Sequence, residues 1–307
     1  YNWRSRFNVC RIQNLKNNRI MIQIEKNKLY LVTGGGGFLG QPLVKHILNE
    51  GARVRIIGRD EATLVMMKQR HPSIEIHPGD ISDEFEVRQS MKDVDGVFHL
   101  AASKHVGLAE TFVRENLKSN VIGSFNIYEQ SLKQDLDFVL AISTDKAAQV
   151  VGVYGATKLM MERLSKQYQN LNPNCKYRIV RYGNVLYSTG SVLCKWKDLI
   201  EQNKELIVTE PDATRFFWTV EQAIDLILDC MENAIDSTPY CPNMKSMSIK
   251  SLLGAMVEKY GNSNWDSYPI KIIGLQPGEN FHEKVLDEGP FSNEVEQFTI
   301  EEIKELI

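Results

Sequence analysis

Residues 29–40 read LYLVTGGGGFLG, and this stretch decides the fold. A run of strand formers from Leu29 to Val32 ends at Thr33, glycine occupies 34 to 37, and Phe38, Leu39 and Gly40 follow. The pattern TGxxGxxG, with Gly34, Gly37 and Gly40 at the fixed places, joins this strand to a helix that the periodicity predicts over about Gln41 to Asn49. Glycines there let the backbone turn tightly and approach a pyrophosphate. The helix N-terminus adds unpaired N–H groups and the positive end of its dipole. Thr33, Gly34, Gly37, Phe38, Leu39 and Gly40 are therefore the expected cradle of a dinucleotide. An ordinary glycine turn accounts less well for four consecutive glycines in that setting.

Outward from the loop the rhythm continues. Strand ARVRIIG, a helix, strand SIEIHPG, a helix and strand GVFHLAA follow in turn. A longer amphipathic helix is predicted over about Arg114 to Lys133, with Gly123 inside it or kinking it. Strand DFVLAIST, a helix over about Tyr154 to Asn170 and strand YRIVRYGNV complete the series. Such alternation predicts an α/β fold, a doubly wound, Rossmann-like parallel sheet. After about Ser188 the rhythm breaks into short mixed elements, with a helix at Val220 to Asn233 and a turn-rich stretch containing Pro239, Pro242 and Gly261. The expected domains are 21–188, which binds the dinucleotide, and 189–307, a smaller mixed α/β substrate-binding domain. The 220–233 helix is expected to pack back on the first.

Composition narrows the classes. A chain of 307 residues suits one large α/β domain with a smaller companion. With 36 basic and 39 acidic residues the formal charge is −3, so there is no field that would gather nucleic acid or an anionic membrane. The five cysteines are odd in number and lack CxxC spacing, and the histidines show no HxH or HExxH, so neither a disulfide framework nor a metal is expected. The apolar runs are strand-sized, and a soluble, cytoplasmic protein is the expectation. Residues 1–20 carry five Arg or Lys and no acid and precede Met21, a candidate start. A targeting leader, a cloning scar and translated upstream sequence all fit them.

The end of the second strand bears on the choice of dinucleotide. An acid there bonds a ribose 2′-hydroxyl, whereas a basic residue receives a 2′-phosphate. Gly58-Arg59 stands at that place, which favours NADP, with NAD as the alternative; Asp60 follows, and a solvated helix start reads equally from the pair. Asp80 and Ile81 after the third strand suit the adenine. Ala101 and Ala102 after the fourth are small enough for a cofactor to lie close.

Tyr154 and Lys158 form YxxxK on a predicted helix, four residues apart and on one face. A lysine beside the phenol would lower a pKa of about 10 towards neutrality, and a shift of roughly three units corresponds to about 4 kcal/mol. Ser143, Thr144, Asp145 and Lys146 follow an apolar strand at the sheet end where such folds bind ligands. Neighbouring strand residues face opposite ways, so Asp145 and Lys146 serve one site only if the strand has ended there. A solvated acid–base pair on a turn is the alternative.

Together with HLAASKHV, RYGNVLYSTGSV, TEPDATRFFWT, PNMKSMSI and IGLQPGENFHE, these stretches resemble the extended short-chain dehydrogenases/reductases, and specifically the soluble, C5-inverting UDP-N-acetylglucosamine 4,6-dehydratases. The likeness runs over about 29–285. The Asp-Lys pair after the threonine is the informative difference from glucose-type 4,6-dehydratases, which place Asp-Glu there, and from 4-epimerases, which place small hydroxyl residues. The resemblance implies a UDP-sugar substrate. It casts Tyr154 as the base at the 4-hydroxyl, Lys146 as the base at C5, protonated Asp145 as the acid at the C6 hydroxyl and Thr144 as a hydrogen-bonding partner near O4. Thr144 also fits plain strand-end capping.

Lys158 and Tyr154 would also meet the cofactor, Lys104 the cofactor or sugar, and Asn184, Val192, Arg215 and Glu279 the substrate. Arg215 also fits an ordinary interdomain ion pair. Gln276, Asn280, Tyr187, Thr189 and Ala213 depart from the residues usual in those motifs, and the first two remove positive charges. The resemblance further implies a homo-oligomer. A 4-epimerase or 4-keto reductase on the same scaffold is the alternative function, followed by a non-catalytic dinucleotide-binding regulator.

Overall fold

A computed structural model describes residues 22–261 and 265–307; the stretch 1–20 and Met21 lie outside the described residues. In chain order the first half runs β1 Leu29–Thr33, α1 Gly40–Asn49, β2 Arg53–Gly58, α2 Glu61–Arg70, β3 Glu75–Pro78, α3 Glu84–Ser90 and β4 Gly96–His99. Then come α4 Val106–Thr111, α5 Val113–Asn116, a π-helical turn Leu117–Ile122, α6 Gly123–Ser131, β5 Phe138–Thr144, α7 Val153–Leu171 and β6 Lys176–Tyr182. The second half comprises β7 Asn184–Val185, α8 Val192–Glu201, β8 Leu206–Val208, β9 Thr214–Trp218, α9 Val220–Asn233, β10 Pro239–Tyr240, β11 Ser246–Ser248, α10 Ile249–Gly261, β12 Ile270–Ile272 and α11 Ile300–Leu306.

Seven strands form one parallel sheet in the order β10-β6-β5-β4-β1-β2-β3. This is the doubly wound, Rossmann-like fold. Every residue of β1, β4 and β5 is buried, because helices cover both faces, and that is why these strands read as continuous apolar runs rather than as alternation. Leu43, Val44 and Ile47 of α1 and Ile224, Ile227 and Met231 of α9 fill one face around Tyr30, Phe98 and Phe138, whose rings lie 5.1–6.0 Å apart. Ile127 and Tyr128 of α6 and Met161 and Tyr168 of α7 fill the other. Each such side chain contributes about 1.5–3 kcal/mol by leaving water.

A third core, built on Leu193 and Trp196 of α8, Leu252 and Met256 of α10 and Ile303 of α11, organises the smaller region. There β7 pairs with β9 and β9 with β11, while β12 pairs with β8. Both α9 and β10 belong with the large sheet, β10 through its pairing with β6, so the stretch 189–307 is not one contiguous unit.

Two local differences from the sequence expectation have physical causes. The single predicted strand YRIVRYGNV divides at Gly183 into β6 and β7, which lie in different sheets. The stretch with Gly261 holds a 13-residue helix, α10. Its run Leu252–Val257 is buried without interruption, so no 3.6-residue alternation marks it in the sequence. Among the described residues no helix is long and apolar enough to cross a membrane.

Candidate active site

The chain winds outward from β1 in both directions, to β2 and β3 on one side and to β4, β5 and β6 on the other. A crevice therefore opens at the C-terminal ends of β1 and β4, the usual ligand position in such sheets. The glycine loop occupies it. Gly34 has φ +68°, and a Cβ there would stand 3.0 Å from the amide nitrogen of Ala101; at Gly40 a Cβ would fall 2.3 Å from the Gly34 carbonyl oxygen. Loop, helix and β4 end thus meet at backbone contact. Helices α2 and α3 are capped by the side chains of Asp60 and Asp83, but no side chain caps α1; its Gln41 N–H bonds the Gly37 carbonyl at 3.0 Å, and the positive end of the helix dipole lies at the crevice.

Thr33 is held inside rather than turned to the crevice. Its Oγ1 lies 2.9 Å from His99 Nδ1 and accepts the Ala101 N–H at 3.0 Å, which ties β1 to β4. His99 continues to Ser124 Oγ at 2.9 Å; burial, and next the Lys158 charge, depress its pKa to about 3, so it stays neutral. Phe38, Leu39, Ala101 and Ala102 are partly buried at the crevice, and Lys104 is exposed beyond β4. Arg59 stands exposed after β2, 3.6 Å from Asp80. Asp60 accepts the Ala62 N–H and the Thr63 hydroxyl, so it is occupied at the start of α2. Asp80 accepts the Ser82 N–H at 2.9 Å, and Ile81 is buried with its carbonyl bonded to Asn126.

The second cluster forms where β5 ends. Beyond Thr144 the chain enters a single 3-10 turn, Asp145–Ala147, and this turn brings Asp145 and Lys146 to one side. Thr144 Oγ1 donates to Asp145 Oδ1 at 2.8 Å. Lys146 Nζ donates to Asp145 Oδ1 at 3.0 Å and to Glu283 Oε1 at 2.9 Å, with side-chain exposures of 13% for the lysine, 0% for Asp145 and 2% for Glu283. Arg215 Nε lies 3.3 Å from the same Glu283 oxygen.

Burial works against each of these charges. For Lys146 the two carboxyl groups outweigh it and hold the ammonium above its ordinary pKa. For Asp145 the opposing pull of Lys146, then of Glu283 and Thr144, keeps the carboxyl below its ordinary value. Glu283 goes the other way: burial and the charge of Asp145 push it up to about 8.

Tyr154, in the first turn of α7, is raised by burial and partly relieved by Lys146 and by a hydrogen bond with Thr144. Lys158 Nζ donates to the Ile142 carbonyl at 2.8 Å, and burial lowers its pKa to about 8 against the opposing pull of Glu162. The Lys146 charge is the one that draws the phenol's pKa back down. Behind the turn, Arg181 is clamped on Glu162 at 2.7 and 2.6 Å, and Ser143 donates to Glu162 at 2.5 Å. These fully enclosed bonds fix β5, β6 and α7 against one another.

Thr144, Asp145, Lys146 and Tyr154 are thus brought together. Arg215 reaches the cluster through Glu283 and bonds the Thr214 and Phe281 carbonyls, so its guanidinium is engaged in the interior. Asn184 donates to the Phe216 carbonyl at 3.3 Å, Val192 is exposed at the start of α8, and Glu279 accepts the Gln276 N–H at 3.1 Å within its own turn. That turn lies over the approach to α7, where Asn280 donates to the Gln149 carbonyl at 3.1 Å. Glu283 carries no expectation from the sequence. Its one visible signal is its place at the end of QPGENFHE, 137 residues from Lys146.

Over residues 30–305 the sequence matches the family described as polysaccharide biosynthesis protein. The chain belongs to the polysaccharide biosynthesis protein family. Within reach of this family it is 36% identical to an uncharacterized membrane protein of Methanocaldococcus jannaschii over 87% of this chain and 83% of the relative. It is 32% identical to the UDP-N-acetylglucosamine 4,6-dehydratase (inverting) of Campylobacter jejuni subsp. jejuni serotype O:2 over 88% and 81%, which bears out the resemblance drawn from the motifs. It is also 30% identical to a UDP-glucose 4-epimerase of Rickettsia bellii over 85% and 78%. Among solved structures it superposes on Pen from Bacillus thuringiensis with a TM-score of 0.86 at 27% identity, covering 93% of this chain and 98% of that one.

Proposed function

We propose that this protein is a nucleotide-sugar 4,6-dehydratase that converts UDP-N-acetylglucosamine into a UDP-4-keto-6-deoxy-N-acetylhexosamine with inversion at C5, using a retained NADP. One observation carries the proposal: Asp145 and Lys146 are buried together beside Thr144 and the Tyr154 phenol. A solvated pair on a turn has no reason to be enclosed in this way, because desolvating two charges is costly unless they are paired and used.

The cofactor fits the crevice. The Gly34–Gly40 loop and the start of α1 would hold its pyrophosphate, and the exposed Arg59, loosely paired with Asp80 at 3.6 Å, would meet a 2′-phosphate. A nicotinamide held there would supply reversible hydride transfer, out of sugar C4 and back to C6. Tyr154 takes the proton of the 4-hydroxyl while Thr144 orients that oxygen. With a carbonyl at C4 the C5 hydrogen becomes acidic, and Lys146 removes it. Asp145 protonates the C6 hydroxyl as it departs. Arg215 acts from inside the acid–base cluster, and Asn184, Val192 and Lys104 line the approach to the sugar nucleotide.

A 4-epimerase is the second reading, favoured by the Rickettsia relative. The two are separated by incubating the purified protein with UDP-N-acetylglucosamine in heavy water and following it by NMR. Dehydration gives a C6 methyl and deuterium at C5, and Lys146→Met should abolish both. An axial–equatorial change at C4 with no methyl, retained in Lys146→Met, would establish epimerisation instead.

A further inference from the structure

Glu283 has geometry that the reaction as described does not use. Its Oε1 is taken by Lys146 at 2.9 Å and Arg215 at 3.3 Å, and Asp145 Oδ1 is taken by Lys146 and Thr144. Both carboxyl groups are held by the one Lys146 ammonium, Asp145 at 3.0 Å and Glu283 at 2.9 Å, and the charge of Asp145 bears on Glu283. Yet the remaining oxygens, Asp145 Oδ2 and Glu283 Oε2, are buried and have no hydrogen-bond donor among the described residues. Two carboxylates gathered on one ammonium away from water repel each other, and a proton kept by the pair relieves that repulsion.

We propose that Glu283 is a positioning residue of the dehydration step, which keeps a proton between itself and Asp145 and thereby leaves Lys146 able to act as a base. The inference rests on the dehydratase proposal above. At rest the cluster holds ammonium on Lys146, carboxylate on Asp145 and carboxylic acid on Glu283. Moving one proton along the 3.0 Å bond from Lys146 to Asp145 gives the neutral amine and the acid that elimination needs. The amine then takes the C5 hydrogen. The electron pair of that C–H bond forms the C5–C6 double bond as the C6–O pair leaves with oxygen, which takes the Asp145 proton and departs as water. The cluster is back in its resting protonation.

An ionised Glu283 would stop the first transfer, since a second carboxylate at 2.9 Å would hold the proton on Lys146. The groups that face Glu283 are Asp145 and Lys146 from the 3-10 turn and Arg215 from β9. Its own N–H donates to Ser292 Oγ, and the adjacent His282 is bonded to Thr214. With burial and Asp145 raising its pKa to about 8, dehydration should fall about tenfold per pH unit above that value as the proton is lost.

The test compares wild type, Glu283→Gln and Glu283→Ala across pH. Two readouts are used: methyl formation by NMR, and single-turnover reduction of the bound nicotinamide by its near-ultraviolet absorbance, which reports C4 oxidation alone. Glutamine keeps the acceptor for Lys146 and donates permanently to Asp145, so Glu283→Gln should dehydrate and lose the alkaline limb near pH 8. Glu283→Ala should still oxidise C4 but accumulate reduced cofactor, with elimination at least about tenfold slower. A Gln variant that keeps the wild-type alkaline limb, or that oxidises C4 and never eliminates, overturns the inference. So does an Ala variant with wild-type elimination. Should wild type itself give no methyl, it is the dehydratase proposal that fails.

Discussion

Replacing Gly155 by alanine should damage the site more than the fold, and the structure sets the scale. Gly155 lies in the first turn of α7, between Tyr154 and Lys158, and packs on the backbone of the Asp145–Ala147 turn. A Cβ there would stand 2.2 Å from the Lys146 carbonyl oxygen and 3.0 Å from its carbon. Neither atom can rotate away, because both are main chain, so roughly 1 Å of separation must open between α7 and the turn for the contact to become ordinary, with a strain of about 1–3 kcal/mol. Helix propensity acts in the opposite direction: alanine is better than glycine by about 1 kcal/mol in a helix interior. The net loss of stability should therefore be small, visible as a drop of a few degrees in Tm.

The displacement matters more for turnover. It moves Tyr154 and Lys158 on one body against Asp145 and Lys146 on the other, and a shift of about 1 Å in reacting groups costs on the order of 10²-fold. The assay is methyl formation from UDP-N-acetylglucosamine, beside thermal unfolding and NADPH binding. Ala156→Ser, at an exposed position on the same turn, is the control. If Gly155→Ala turned over like its parent, the Asp145–Ala147 turn and α7 would not be held in the contact described, and the proposed geometry of the site would be wrong.

Two further outcomes follow from the same structure. Arg59→Ala should weaken NADPH by about 10- to 100-fold, the equivalent of losing charge-assisted bonds of about 1.5–3 kcal/mol, while leaving NADH nearly unchanged; fluorescence titration with both would refute the NADP assignment if the two weakened alike. Glu162→Ala should cost about 1.5–3 kcal/mol in denaturant unfolding, because it removes both charge-assisted bonds of that carboxylate to the buried Arg181 guanidinium, which keeps only Asp287 and the Val285 carbonyl; a loss under about 0.5 kcal/mol would show that the Arg181–Glu162 clamp does not hold β5, β6 and α7 together.

Local chemistry explains what was legible in the sequence. The glycine loop between Thr33 and Gly40, the strand-to-turn transition at Thr144 and the YxxxK spacing are all set within a few residues, so each could be placed on its element before any contact was known. The α10 helix was not legible for the converse reason: six consecutive residues from Leu252 to Val257 are buried, and its polar residues, Lys250, Ser251, Glu258 and Lys259, stand only near its ends, so little of a period is left to read. The same holds for β10, two residues whose membership in the large sheet depends on pairing with β6, some 60 residues earlier in the chain.

By itself the sequence determined the doubly wound sheet, the place of the glycine loop between β1 and α1, and the local positions of Thr144, Asp145, Lys146, Tyr154 and Lys158 on their elements, because each follows from short-range periodicity, glycine geometry or helical spacing. Tertiary structure alone decided who neighbours whom in charge. It turned Arg215 inward and set Lys158 against the Ile142 carbonyl. It also carried Glu283 across 137 residues of chain to Lys146 and Asp145. Protonation depends on burial and on the distances between charges, and neither quantity exists until the chain has folded.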